Sequence, residues 1–155
     1  MAKQNQETKS NYPPVGFHFK VEFNLPNGLS GDIHFQEVSG LNKEMTTEEF
    51  TEGGENRFLY HFPKGTKYPN LVLKRGMKPE SDVIQWVKDA IDNFDFKPAT
   101  VSVILLNDAH KPLVKWEFLK AFPVKWASSD LKAQENAIVI ETLELNYQYY
   151  NQVTV

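Results

Sequence analysis

Four histidines, His18, His34, His61 and His110, and one carboxylate set in an apolar row, Glu141, are the residues whose types could do chemistry. His18 and His34 fall on the polar faces of what read as neighbouring strands, close enough to approach each other. Two imidazoles fall short of a zinc site, which takes three or four ligands and an ordered outer shell. The sequence holds no HExxH, no GxxxxGK[ST], no GxSxG and no cysteine, so the common hydrolase, phosphate-cradle and thiolate chemistries lack their residues. Gly53-Gly54 has no strand–loop–helix setting around it. Glu141 could act as a general acid only with a cleft and a second titratable group beside it. It reads instead as a buried carboxylate held by backbone N–H groups, or by Lys125 or another base, that fixes geometry. Trp86, Trp116 and Trp126 read as core or interface anchors. No cofactor, metal or catalytic residue is expected.

The elements that would hold these residues are mostly strands. Phe17, Phe19, Val21, Phe23 and Leu25 alternate with His18, Lys20, Glu22 and Asn24, the period of a strand with one wet face. Pro26-Asn27-Gly28 is turn chemistry, and a partner strand carries Ile33 and Phe35 opposite His34 and Gln36, ending at Val38-Ser39-Gly40-Leu41. Two weaker strands surround Thr51 to Glu55. Ser81 caps a helix to about Asn93, whose stripe is Val83, Val87, Ala90, Ile91 and Phe94, with Ile84 and Trp86 beside it. Thr100–Leu106 returns to strand, and Asn107 to Pro112 is a hairpin loop. Val114, Trp116 and Phe118 alternate again until Ala121-Phe122-Pro123 breaks the ladder. A last strand from about Ala137 to Tyr149 looks buried on both faces at its start (Ile138, Ile140) and on one face later, where Thr142, Glu144, Asn146 and Gln148 turn polar.

With 155 residues, 41% of them apolar and 13% aromatic, the chain fits one domain with a proper core, residues 16–155, behind a polar arm at 1–15. A net charge of −3 gives no reason for phosphate neutralisation, so no nucleic-acid recognition is expected. The first residues have no apolar core of a secretory signal, and apolar runs are too short to span a bilayer, so no membrane anchor is expected. Charge is blocked: Glu44, Glu48, Glu49, Glu52 and Glu55 have no base between them, and Lys64, Lys67, Lys74, Arg75 and Lys78 have no acid. Two readings stay open, solvated faces neutralised within one subunit, or acid meeting base across a head-to-tail contact.

Set in order, several short words resemble the tail-tube family, the inner-tube proteins of contractile phage tails and bacterial contractile injection particles. These are Phe35-x-x-Val38-Ser39-Gly40-Leu41, Gly53-Gly54-Glu55-Asn56 and Phe62-Pro63-Lys64-Gly65. After them come Trp116-x-Phe118-x-x-Ala121-x-Pro123-x-Lys125-Trp126, Asp130-Leu131-x-Ala133 and Ile140-Glu141-Thr142-Leu143-Glu144-Leu145. The resemblance covers about Gly16 to Tyr147. It implies a mainly β (α+β) fold: a two-sheet antiparallel β-sandwich or partial barrel with one flanking helix, its sheets continuing across subunits in a hexameric ring. It further implies rings stacked into a hollow tube inside a contractile sheath, made in a bacterial cytoplasm and assembled into a phage tail or tail-like particle. The partners implied are sister copies, a sheath protein, baseplate and tube-initiator proteins, and a cargo or terminator protein in the lumen.

On that reading His18, Lys20, Glu22, Asn24, Thr142, Glu144, Asn146 and Gln148 are lumen candidates by their shared wet faces. Glu48, Glu49, Glu52, Gly53, Gly54, Glu55, Lys64, Lys67, Lys74 and Arg75 are candidates for ring stacking or other inter-subunit contacts. Trp116, Trp126 and Glu141 hold geometry. A tube initiator of the same fold is the nearest rival; a monomeric ligand-binding β-barrel with an apolar cavity is one of another class, and an enzyme is a third.

Overall fold

The computed structural model describes residues 13–16, 18–26 and 30–155, and the side chains of 30–33 are also outside what it describes. The N-terminal arm up to residue 12, Phe17 and the Asn27-Gly28 turn therefore lie outside the described residues. The strands are β1 (Phe19–Asn24), β2 (Ser30–Ile33), β3 (Glu37–Ser39), β4 (Glu44–Phe50), β5 (Tyr60–Lys67), β6 (Leu71–Gly76), β7 (Ala99–Leu106), β8 (Pro112–Ser128), β9 (Ile140–Asn146) and β10 (Tyr149–Thr154). One helix, α1 (Asp82–Asn93), lies between β6 and β7.

Strand β8 is shared between two antiparallel sheets. Up to Ala121 it pairs with β7 on one side and β10 on the other. From Phe122 to Ser128 it pairs with β9. The sheets therefore run β2-β1-β7-β8-β10 and β8-β9-β6-β3, and among the described residues no closed barrel forms. The corner falls where the alternation breaks: Lys120 takes φ 55, and the ladder shifts register between Pro123 and Lys125. A buried proline there gives up no ladder hydrogen bond, since it has none to give.

Inward faces follow from the period of two. Val21, Phe23, Leu71, Leu73, Val101, Val103, Phe118, Leu143 and Leu145 meet in one core. Each fully buried large side chain contributes about 1.5–3 kcal/mol relative to leaving it in water. The helix buries Val83, Ile84, Trp86, Val87 and Ala90, of which Val83, Trp86 and Val87 join that core, with the Ser81 hydroxyl accepting from the Ile84 N–H. Ile91 and Phe94, expected in the buried stripe, are exposed. The helix stops at Asn93 and Phe94 caps it in the left-handed region, its ring 83% exposed.

Two strand expectations change. The Ile33–Leu41 strand is two, because Phe35 and Gln36 leave β1 and hand the chain to the second sheet, where β3 pairs with β6. The last strand starts only at Ile140; Ile138, expected to be buried, is 70% exposed in the loop before it. Its inner row of Glu141, Leu143, Leu145 and Tyr147 ends at a kink, after which Tyr149 faces out and Tyr150 in.

Candidate assembly surfaces

A buried polar cluster draws on β6, β9, β8 and the start of α1. Arg75 on β6 and Glu141 on β9 are register partners, 5% and 3% exposed, with Arg75 Nε donating to Glu141 Oε2 at 2.8 Å. Trp126 Nε1 on β8 donates to Glu141 Oε1 at 2.8 Å, and Arg75 Nη2 reaches the Ser81 hydroxyl at 3.2 Å. Phe35 covers the guanidinium, 5.4 Å from its ring centre. Arg75 was expected among the exposed stacking bases, and its burial corrects that. It supplies the base that Glu141 needs, while Lys125 stands in register opposite Glu144 on the other face. The signal for this was available: Arg75 keeps phase with Leu71 and Leu73 on the inward face of β6.

Among the described residues, strands β4 and β5 form a hairpin apart from both sheets, paired only with each other. Glu44 and Lys67 are opposite each other at its base, whereas Glu48 and Glu49 oppose Phe62 and His61. Opposite pairing puts Glu48, Phe50, Tyr60 and Phe62 on one face, where Phe50 meets Phe62 edge-on at 6.2 Å and Tyr60 stacks on Phe62 at 6.2 Å. Phe58 adds an edge-on contact to Tyr60 at 4.9 Å. Met45, Phe50, Phe58, Leu59 and Phe62 are all exposed. At the tip Gly53 and Gly54 are exposed, with Gly54 at φ 102, and Glu52 stays exposed beside them. Glu55 is bound by Arg57 through two side-chain bonds of 2.9 Å. The guanidinium, and then the Arg57 N–H, hold the Glu55 carboxyl below its usual range. Lys64 is exposed, and Lys74 pairs loosely with Glu37 at 3.4 Å on the second sheet.

The lumen candidates divide between sheets. Lys20, Glu22 and Asn24 belong to the outer face of the β2-β1-β7-β8-β10 sheet; Thr142, Glu144 and Asn146 belong to the outer face of the other, with the core between. Gln148 is exposed in the kink, its N–H bonded to Leu119 O at 3.0 Å. Cross-strand register adds residues that the sequence did not single out: Glu22, Ser102, Glu117 and Asn151 form one row, and Lys20, Ile104, Lys115 and Val153 the next. Lys20–Glu22 (2.6 Å) and Lys115–Glu117 (3.0 Å) bridge the two rows. His18 meets His110 of the β7–β8 loop, 2.9 Å between ring nitrogens, and not His34. Trp116 is half-buried against the core. Among the described residues no three of His, Asp and Glu converge as a metal site. The cavity beside Phe35, Trp126 and Arg75 has about 10 Å³, room for one water rather than a ligand.

A sandwich with a projecting hairpin and ordered polar rows is the fold that known proteins are compared with. The model of a family described as T4-like virus tail tube protein gp19 matches residues 15–151. The chain belongs to the T4-like tail tube family. This tail tube protein is similar, at 32% identity and a TM-score of 0.88, to a chain of the anti-feeding prophage baseplate solved by cryo-EM with six-fold symmetrisation, covering 92% of this chain and 97% of that one. A chain of the sheath–tube complex of an extracellular contractile injection system has the same fold at 23% identity and a TM-score of 0.81, with 99% and 100% covered. Hcp1 from Flavobacterium johnsoniae shares the fold at 14% identity and a TM-score of 0.52, over 90% and 97% of the two chains. No curated protein matches the chain in sequence. It is thus a tail tube-like protein, in a family of structural tube proteins. Among the described residues no helix is long and apolar enough to cross a membrane.

Proposed function

We propose that this chain is the inner-tube subunit of a contractile injection system or phage tail. It assembles as hexameric rings stacked into a hollow cylinder, which a contracting sheath drives through a target envelope and which conducts cargo. The observation that carries this is the β4–β5 hairpin, which leaves the subunit with an aromatic face turned to water. A two-stranded hairpin is marginal by itself, and an exposed aromatic strip marks a contact surface. A neighbouring ring is its natural cover. The two edges of the larger sheet support closure within a ring. Tyr149 to Val155 on the β10 side carries no charge and no proline, none of the usual protections of a free edge, and β2 offers the opposite edge. Pairing β10 of one copy with β2 of the next would turn the rows of Lys20, Glu22, Lys115 and Glu117 towards a lumen. Such contacts close by rotation within a ring and stay open along the stacking axis. Catalysis has no part in it, and acidic residues left on the outside make sheath binding weaken with salt.

Size-exclusion chromatography with negative-stain microscopy of the purified chain tests this: rings and cylinders are expected, and a monomer at every concentration would overturn it. A second reading is a baseplate-proximal tube initiator, favoured by the 32% identity with a baseplate chain. It predicts single rings that never lengthen.

A further inference from the structure

What the hairpin can reach depends on the direction in which it leaves the subunit, and both of its feet are held. On the incoming side Ser39 is paired to Val72, and Gly40 follows at φ 92. A Cβ on Gly40 would lie inside the van der Waals shell of the Asn70 carbonyl oxygen, so the two feet press backbone against backbone. On the outgoing side Asn70 Oδ1 accepts from Asn146 Nδ2 at 3.2 Å. Tyr68, half-buried, stands edge-on to Tyr147 at 5.9 Å and to Tyr150 at 5.6 Å. Lys43 places its ammonium 5.1 Å over the Tyr150 ring. Tyr147 and Tyr150 rest on the fully buried Phe118, at 4.7 and 5.2 Å, and flank the kink where the chain passes from one sheet to the other.

We propose that Tyr68, Tyr147 and Tyr150, with Lys43 and Gly40, form a rigid joint that fixes the angle of the β4–β5 hairpin. They are positioning residues for stacking. The role rests on the reading of the hairpin as the contact to the next ring. Edge-on ring contacts are directional, and Tyr68 set against two rings that are themselves seated on the buried Phe118 leaves the outgoing foot one orientation. Past the joint almost every side chain of the hairpin is exposed, so little else in the subunit can orient it. A pre-set angle spares each stacking contact the entropy of ordering a swinging arm.

The chain has no cysteine, so Glu52→Cys and Gln85→Cys create one label pair from hairpin tip to α1. Pulsed electron–electron resonance on dispersed subunits should give one narrow distance distribution, kept in Tyr68→Phe and lost in Tyr68→Ala. In the unlabelled protein Tyr68→Ala should raise the concentration at which tubes form by about tenfold, the weight of one contact's lost pre-organisation. If Tyr68→Ala does not fold, Lys43→Ala, at an exposed position, takes its place with the same expected broadening. An unchanged narrow distribution overturns the joint. Broadening with wild-type tubes overturns the positioning role. Wild-type protein that forms no tubes counts against the stacking reading instead, and the distance widths still decide the joint.

Discussion

Arg75 and Glu141 hold four segments in one place: β6, β9, the far half of β8 through Trp126, and the start of α1 through Ser81. Removing one charge strands the other in the core, so Arg75→Met should cost about 3–5 kcal/mol in urea unfolding. The double variant Arg75→Met/Glu141→Leu should recover most of that, because an apolar pair leaves no unpaired charge. At Tyr147 burial, and then the neighbouring Tyr150 and Tyr68, push the phenol up to about 12. Its hydroxyl has no hydrogen-bond partner among the described residues. The raised value means that the folded state keeps its proton while the unfolded chain ionises near the ordinary value. The stability involved is fully present below about pH 10 and is lost as pH rises towards 12. Tyr147→Phe should flatten the fall in unfolding free energy across that window and cost little at neutral pH. At this scale the sequence marked Glu141 because it alone broke an apolar row. The same phase argument applies to Arg75, but its neighbours Lys74 and Lys78 made it look like part of a solvated run.

The hairpin shows most clearly an element whose stability and role come apart. Its aromatic residues touch one another and little else, so Phe50→Ser/Phe62→Ser should leave subunit unfolding within about 0.5 kcal/mol per site. Tube formation should nevertheless fail in the microscope. Deleting Gly53 to Asn56 should likewise leave a folded subunit that does not stack; wild-type tube lengths would count against the assignment. The helix reads differently. Its N-cap and inner stripe were legible, but its end was not: nothing local distinguishes Phe94 on the stripe from Phe94 as a left-handed cap. The N–H of Phe94 bonds Asp89 O, and its ring is turned out to water.

For the whole molecule, ring closure through the larger sheet predicts that its outer face is the shielded one. Cysteine at Glu22 should label slowly in the assembled particle, and cysteine at Thr142, on the other sheet, should label faster. Equal rates, or the reverse order, would move the lumen to the other sheet. Sheath association should fall as salt rises, since charges exposed on an outer wall are screened beyond about 10 Å at 0.1 M.

The order of apolar and polar residues by itself determined that this is a mainly β chain with one capped helix, which strand faces are wet, and where β8 breaks. Those are local matters, set by the period of side chains along a strand and by the missing N–H of proline. The short motifs, taken in order, also placed it among the tail tube proteins. Only the tertiary structure decided partners across the chain: Arg75 rather than Lys125 for Glu141, His110 rather than His34 for His18, and lumen candidates split between two sheets rather than sharing one wet wall. A one-dimensional pattern gives the phase of each strand. Register and corner, which bring distant residues together, are fixed by packing all of them around one core.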